Sequence, residues 1–390
     1  MELALTDEQH LIQQSAERFL AQVADSAAVR TAMASECGHD RATWARIARE
    51  LYWPALAIPQ TYGGLGLGFV EVCLLQEQLG RRLLPSPFFA TCCLATPALL
   101  LSGNQALKDQ WLPLIAAGDI TASLAYTSAP RWDDSSVQID AQPGAGGYCL
   151  NGQYLNVIDG ADCDLLIVAA RTPGSVGEAG IRVFALPATT PGLTRTHQPT
   201  LDQTRRLAHL SLENVIVSDA QLLSEPGQGW PLLRDVVRIA CIGLAAEQTG
   251  GAQQSLDLTL AYIGERQQFG RSIASFQAIK HRCADLMLAV ECARSASYYA
   301  ACIACECLKI DGDPVAQQQL AEACATAKIH ASEGFFECAA QSIQLHGGVG
   351  FTWEYDPHLY FKRARASEQL FGAPAFHREQ LAKQIFGDRP

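Results

Sequence analysis

The period of apolar and polar positions changes twice along the chain. From Thr6 to about residue 120 apolar residues recur at helical spacing. Thr6-Asp7-Glu8-Gln9 predicts a helix start, because a threonine and a glutamine three residues on can each satisfy a free backbone N–H. Leu11, Ile12, Phe19 and Leu20 follow near helical spacing; Leu74, Leu75, Leu79, Leu83 and Leu84 predict a buried helix, and 104–115 another. From Thr121 to about Glu225 the pattern alternates instead. Asn151-Gly152, between strand-like runs, predicts a hairpin turn, and 165–170, 182–186 and 209–217 read as further strands of a small antiparallel sheet or barrel. Past Gly227-Gln228-Gly229-Trp230 the helical period returns over 231–264, 275–310 and 314–346, with wide apolar faces that suit a bundle. Asp311-Gly312-Asp313-Pro314 predicts both a break and a helix cap. The expected fold is mainly α in three domains: helical over 1–120, β over 121–225, and a helical bundle over 226–390.

Composition narrows the function without naming it. The 390 residues are 48% hydrophobic and 18% charged, enough for a large core and more than one domain. A net charge of −11 gives no general attraction to nucleic acid or anionic lipid. No apolar run is long enough to span a bilayer, and the N-terminus lacks a basic-then-apolar leader pattern, so a cytoplasmic protein is the expectation. Cys302, Cys305 and Cys307 could suggest a metal or redox site. With no histidine or second CxxC nearby they read better as small packing residues of a buried helix. Gly63-Gly64-Leu65-Gly66-Leu67-Gly68 has the look of a dinucleotide fingerprint, but without a preceding strand it reads as a turn between helices.

Two short segments carry more chemistry. Arg266-Gln267-Gln268-Phe269-Gly270 leads into Phe276-Gln277, and Gln344-Leu345-His346-Gly347-Gly348-Val349-Gly350 ends a helical pattern on glycines that permit a turn and a close approach. Together with Pro59-Gln60-Thr61-Tyr62-Gly63-Gly64-Leu65-Gly66 and Asn151-Gly152-Gln153, in this order, they resemble the acyl-CoA dehydrogenase family over the whole chain. Phe351-Thr352-Trp353-Glu354-Tyr355 with His358-Leu359-Tyr360 is most similar to a bacterial branch associated with bulky acyl groups.

The resemblance implies an N-terminal helical domain, a middle β domain and a C-terminal four-helix bundle, with FAD between the last two. It also implies an oligomer that shares its flavin sites, either a homodimer or homotetramer or a hetero-oligomer with a homologous subunit. Electron-transfer flavoprotein is the implied electron acceptor. Arg266 would neutralise the pyrophosphate with its planar donor fork. Phe269 would offer an apolar surface, Gln277 and Gln344 would bond ribose or phosphate oxygens, and Gly347 and Gly348 would make room for the adenosine half. Taken singly, Arg266 also reads as a helix-end charge and Gly347-Gly348 as an ordinary helix cap. Leu124-Ala125-Tyr126-Thr127-Ser128-Ala129-Pro130 stands where the family contacts the flavin ring, so Thr127 and Ser128 join the cofactor set. Asn156-Val157-Ile158 replaces the family's Trp-x-Thr strand.

The implied reaction is α,β-dehydrogenation of an acyl-CoA thioester. A carboxylate takes the α-proton, the β-hydrogen leaves as hydride, and a backbone N–H helps polarise the carbonyl. One family position for the carboxylate falls on Phe371, followed by Gly372; the other falls on Ala240. Neither can take a proton, although a backbone N–H at Phe371 survives the change. Glu247 lies two turns beyond Ala240 on roughly the same helix face, about 10 Å along the axis. It reads equally as a displaced base or as a helix glutamate held by hydrogen bonds; Glu368 and Asp235 are weaker candidates. Two functions follow: a flavin-dependent acyl-CoA dehydrogenase for a bulky or branched acyl group, or a non-catalytic subunit completing the flavin site of a homologous partner.

Overall fold

The computed structural model describes residues 4–129, 131–309 and 312–387. Pro130, at the end of the expected ring-contacting run, and Asp311, in the expected break, lie outside the described residues. Helices begin where their caps stand. α1 (Asp7–Val23) opens on the reciprocal box, Gln9 N–H donating to Thr6 Oγ1 at 3.2 Å and Thr6 N–H to Gln9 Oε1 at 3.1 Å. α2 (Ser26–Ala34), α3 (Arg41–Arg49) and α4 (Phe69–Arg82) follow. The glycine run at 63–68 connects a single 3₁₀ turn, Gln60–Tyr62, to α4. A π-helical segment, Phe89–Ala95, then runs into α5 (Thr96–Leu101), and α6 (Gln105–Ala116) starts on Asn104, whose Oδ1 accepts the Leu107 N–H at 3.2 Å.

The alternating middle of the chain forms one sheet of seven strands: β1 (Ala122–Ala125), β2 (Asp140–Gly144), β3 (Gly147–Ile158), β4 (Leu165–Arg171), β5 (Ile181–Pro187), β6 (Leu193–Gln198) and β7 (Leu207–Ser218). The order is β1-β4-β2-β3-β7-β6, with β5 on β4. It is mixed: β4 pairs in parallel with β1 and β2, and the remaining pairs are antiparallel. Its buried face holds Leu150, Tyr154, Phe184 and Leu210, and the Tyr154 hydroxyl finds the Ala169 carbonyl at 2.9 Å.

The expected hairpin at Asn151-Gly152 is corrected. Gly144 pairs with Gly147, so the turn is Ala145-Gly146, and β3 runs through 151–152 with a register shift between Leu150 and Gly152. Asn151 Oδ1 accepts the Asn214 N–H across this bulge at 2.8 Å, and Gly152 has φ +138° with Ile139 against it. An Asn-Gly pair suits a bulge for the same reason it suits a turn: glycine adopts positive φ at no steric cost.

Past the sheet come α7 (Gly229–Glu265), the two-residue strands β8 (Gln267–Gln268) and β9 (Arg271–Ser272), α8 (Gln277–Cys307), α9 (Pro314–His346), α10 (Pro357–Gln369) and α11 (Pro374–Phe386). Asp313 caps α9 through the Val315 N–H at 2.8 Å, ahead of Pro314 in the first turn. By internal contacts the chain forms two compact units, the division falling within α7. One holds the sheet with α3, α5 and α6. The other holds most of α7, all of α8–α11, α1 and most of α4. In the latter, α4 crosses α7 at close range: a methyl built on Gly80 would lie 2.0 Å from the Glu247 carbonyl oxygen, and one on Gly250 1.8 Å from that of Glu77. Cys307, Cys324 and Cys338 are buried residues of α8 and α9. Among the described residues no helix is long and apolar enough to cross a membrane.

Candidate active site

The first signature folds into a minimal hairpin. β8 and β9 pair Gln268 with Arg271, leaving Phe269-Gly270 as the two-residue loop, with φ +56° and +75°. Positive φ at both positions is the geometry that matches strand twist, and it normally selects Asn or Gly. A phenylalanine there costs about 1–2 kcal/mol. Its ring is nonetheless 91% exposed, with only an edge contact to Phe276 at 6.1 Å. Arg266, just before the hairpin, and Gln277, at the first turn of α8, are also exposed.

The second signature leaves from the neighbouring helix end. Gly347 terminates α9 at φ +66°, its N–H donating to the Gln344 carbonyl, and a short 3₁₀ turn, Gly347–Phe351, follows. Gly347 is thus a helix cap, and a methyl on it or on Gly348 would meet nothing within 4 Å. Gln344, Gly347 and Gly348 all face solvent. The His346 ring stacks on Tyr262 of α7 at 4.3 Å. Tyr262 in turn accepts the Arg266 N–H through its carbonyl, so the two signatures depart from adjoining helix ends. His346 Nδ1–H donates to the Ser342 carbonyl at 2.7 Å, and burial holds its pKa below the ordinary histidine value. Tyr262 was not singled out by sequence pattern; its stack on His346 is a contact between helix ends that only the fold shows.

Thr127 and Ser128 follow β1 in the other unit. Thr127 Oγ1 donates to the Leu155 carbonyl at 3.0 Å and Leu155 N–H returns a bond to the Thr127 carbonyl at 2.8 Å. The Ser128 hydroxyl is buried with no hydrogen-bond partner among the described residues, an arrangement that costs free energy unless a ligand or water completes it. Asn156 sits at φ +57° in a second irregularity of β3, between Tyr154 and Val157, a conformation that asparagine tolerates better than tryptophan.

Glu247 is set back along α7 from the first signature. Glu247 lies on α7 nineteen residues before Arg266, about 28 Å along the helix. It is 4% exposed, as is Arg363 of α10, whose Nη1 donates to Glu247 Oε1 at 2.8 Å. Arg363 is 116 residues away in sequence, and no local signal pointed to it. Phe371 is buried at φ +59° before Gly372 at φ +104°. Ala240 is buried. Asp235 is paired with Arg234 and Arg238, and Glu368 with Arg365.

Residues 6–119 match the acyl-CoA dehydrogenase N-terminal domain and 227–386 its C-terminal domain. The acyl-CoA dehydrogenase IpdE2 of Mycobacterium tuberculosis is 33% identical over 97% of this chain and 98% of its own length. The chain belongs to the acyl-CoA dehydrogenase family. Its members are FAD-dependent oxidoreductases acting on CH–CH bonds. The Tcur3481–Tcur3483 steroid acyl-CoA dehydrogenase superposes with TM-score 0.85 at 28% identity, over 97% of this chain and 98% of that one. The ChsE4–ChsE5 complex of Mycobacterium tuberculosis does so with TM-score 0.87 at 25% identity, covering all of both chains. The residues present fit FAD in kind. Ser128 offers an uncompleted hydroxyl, Arg266 an exposed guanidinium, Phe269 an exposed ring, and Gly347-Gly348 an open backbone.

Proposed function

We propose that this acyl-CoA dehydrogenase oxidises a bulky acyl-CoA thioester and passes the electrons to an electron-transfer flavoprotein in the cytoplasm. Bound FAD supplies the hydride acceptor. Thr127 and Ser128 would bond its ring edge. Arg266, Phe269, Gln277, Gln344, Gly347 and Gly348 would hold its adenosine diphosphate half. Phe269 carries this reading: a strained, exposed aromatic is explained by a ligand, whether on this chain or on a neighbouring copy. A bulky substrate is supported by the branch-specific run 351–360 and by the steroid enzyme among the structural relatives. Glu247 is the proposed base, held by Arg363.

That same ion pair favours a second reading. To serve as a base Glu247 would have to take a proton beside a buried guanidinium that favours its charged form, and both family positions, Ala240 and Phe371, are apolar. The chain would then act as the flavin-site-completing subunit of a hetero-oligomer whose homologous partner brings the carboxylate. A visible spectrum decides between them. Purified chain that turns yellow with FAD and bleaches with acyl-CoA supports the first reading, and Glu247→Gln should then keep the colour and lose the bleaching. Full bleaching by Glu247→Gln removes Glu247 as base. Colour that appears only with a co-expressed homologue supports the second.

A further inference from the structure

α10 ends two residues before Phe371, and a buried cation sits under that end. Lys328, at mid-length of α9, is fully buried. Its Nζ donates to Ser332 Oγ at 2.9 Å, to the Ser367 carbonyl at 3.1 Å and to the Glu368 carbonyl at 3.0 Å. Three protons meet three acceptors, and two of those are the last carbonyls of a helix, where a positive charge is favoured. The surrounding hydroxyls have already committed their protons. Ser332 Oγ donates to Gln248 Oε1 at 3.1 Å, Gln248 Nε2 to Ser367 Oγ at 3.1 Å, and Ser367 Oγ to the Ala364 carbonyl at 3.3 Å. A neutral amine would leave one of these acceptors unfilled, so the geometry calls for the ammonium although burial pulls its pKa down to about 8.

Just beyond, the chain makes a conformation it would not adopt unaided. Phe371 is left-handed. Its carbonyl accepts His377 Nε2–H at 3.1 Å, and Gly372 N–H reaches the Gln369 carbonyl at 3.4 Å. The turn is held from α9 by Lys328 and from α11 by His377. Neither a base nor a polar side chain remains on it, yet the clamps that define its backbone are complete.

We propose that Lys328 is a positioning residue: its ammonium anchors the end of α10 and thereby aims the Phe371 backbone N–H at the thioester carbonyl of the substrate. This rests on the acyl-CoA reading given above. Two measurements test it, both on the full chain. The first is amide hydrogen exchange without ligand. Lys328→Met, which keeps the stem and removes the charge, should speed exchange across 369–373 by about tenfold or more while leaving the middle of α8 unchanged. Ser332→Ala, which keeps the charge and removes one acceptor, should act in the same direction by about threefold if Lys328→Met does not fold. The second is the absorption of cinnamoyl-CoA bound to FAD-loaded chain, since polarising the conjugated carbonyl moves its band to the red. At saturating cinnamoyl-CoA the variant should show a smaller red shift. Native exchange at 369–373, or acceleration spread evenly over the bundle, overturns the positioning role. A wild type with no red shift refutes the acyl-thioester reading itself; a shifted wild type matched by an equally shifted variant refutes only Lys328.

Discussion

The Glu247–Arg363 pair joins the centre of α7 to α10, and its energetics follow from its burial. Both residues are 4% exposed and their contact is 2.8 Å. Removing one partner leaves the other charge in a medium that cannot solvate it, which costs about 3–5 kcal/mol. Replacing both with neutral groups of similar volume is close to neutral, because the desolvation cost disappears with the attraction. Arg363→Met should therefore destabilise the chain by about 3–5 kcal/mol, and the Glu247→Gln/Arg363→Met double variant by far less. At about 2.1 cal/mol/K per residue, 390 residues unfolding together carry about 0.8 kcal/mol/K, so the single substitution lowers Tm by about 4–6 °C. Urea unfolding of wild type, both singles and the double gives the coupling energy directly. A single variant costing under about 1 kcal/mol, with a double equal to the sum, would refute the reasoning, since it would mean that water reaches the pair. The measurement also bears on the proposed base: a carboxylate with a large coupling to Arg363 loses that coupling when it takes a proton.

Two further outcomes follow from the same unit. His377 is buried under Lys328, and burial together with that neighbouring charge lowers its pKa to about 4, below the ordinary 6.5. The unfolded chain therefore binds a proton before the folded one does. Stability present above pH 6.5 should fall as pH drops towards 4, by up to about 3 kcal/mol, and His377→Asn should flatten that part of the curve in parallel urea titrations. Gly250→Ala would put a methyl 1.8 Å from the Glu77 carbonyl, where an ordinary contact begins near 3.4 Å. Driving α4 from α7 should cost about 2–3 kcal/mol or more, read as a lower urea midpoint; an unchanged midpoint would show that the two helices are not in contact there.

Local chemistry in the sequence determined the elements. Thr6, Asn104 and Asp313 announce their helices because a cap acts within three residues, and the helical period marks 231–264 and 314–346 because side chains on one face repeat every turn. The two signature segments at 266–277 and 344–350 were readable for the same reason, being short runs of unusual residues. Asn151-Gly152 marked a place of positive φ but not whether the strand turns or bulges there, since that depends on which strand lies opposite. What only the tertiary structure decided is long-range partnership. Arg363 beside Glu247, and the Ser367 and Glu368 carbonyls on Lys328, join residues on different helices. A lysine in an apolar helix face reads from sequence as misplaced. It becomes intelligible once the fold brings two carbonyls of α10 to it beside Ser332 of its own helix, because the free energy of a buried charge is set largely by neighbours that no local pattern names.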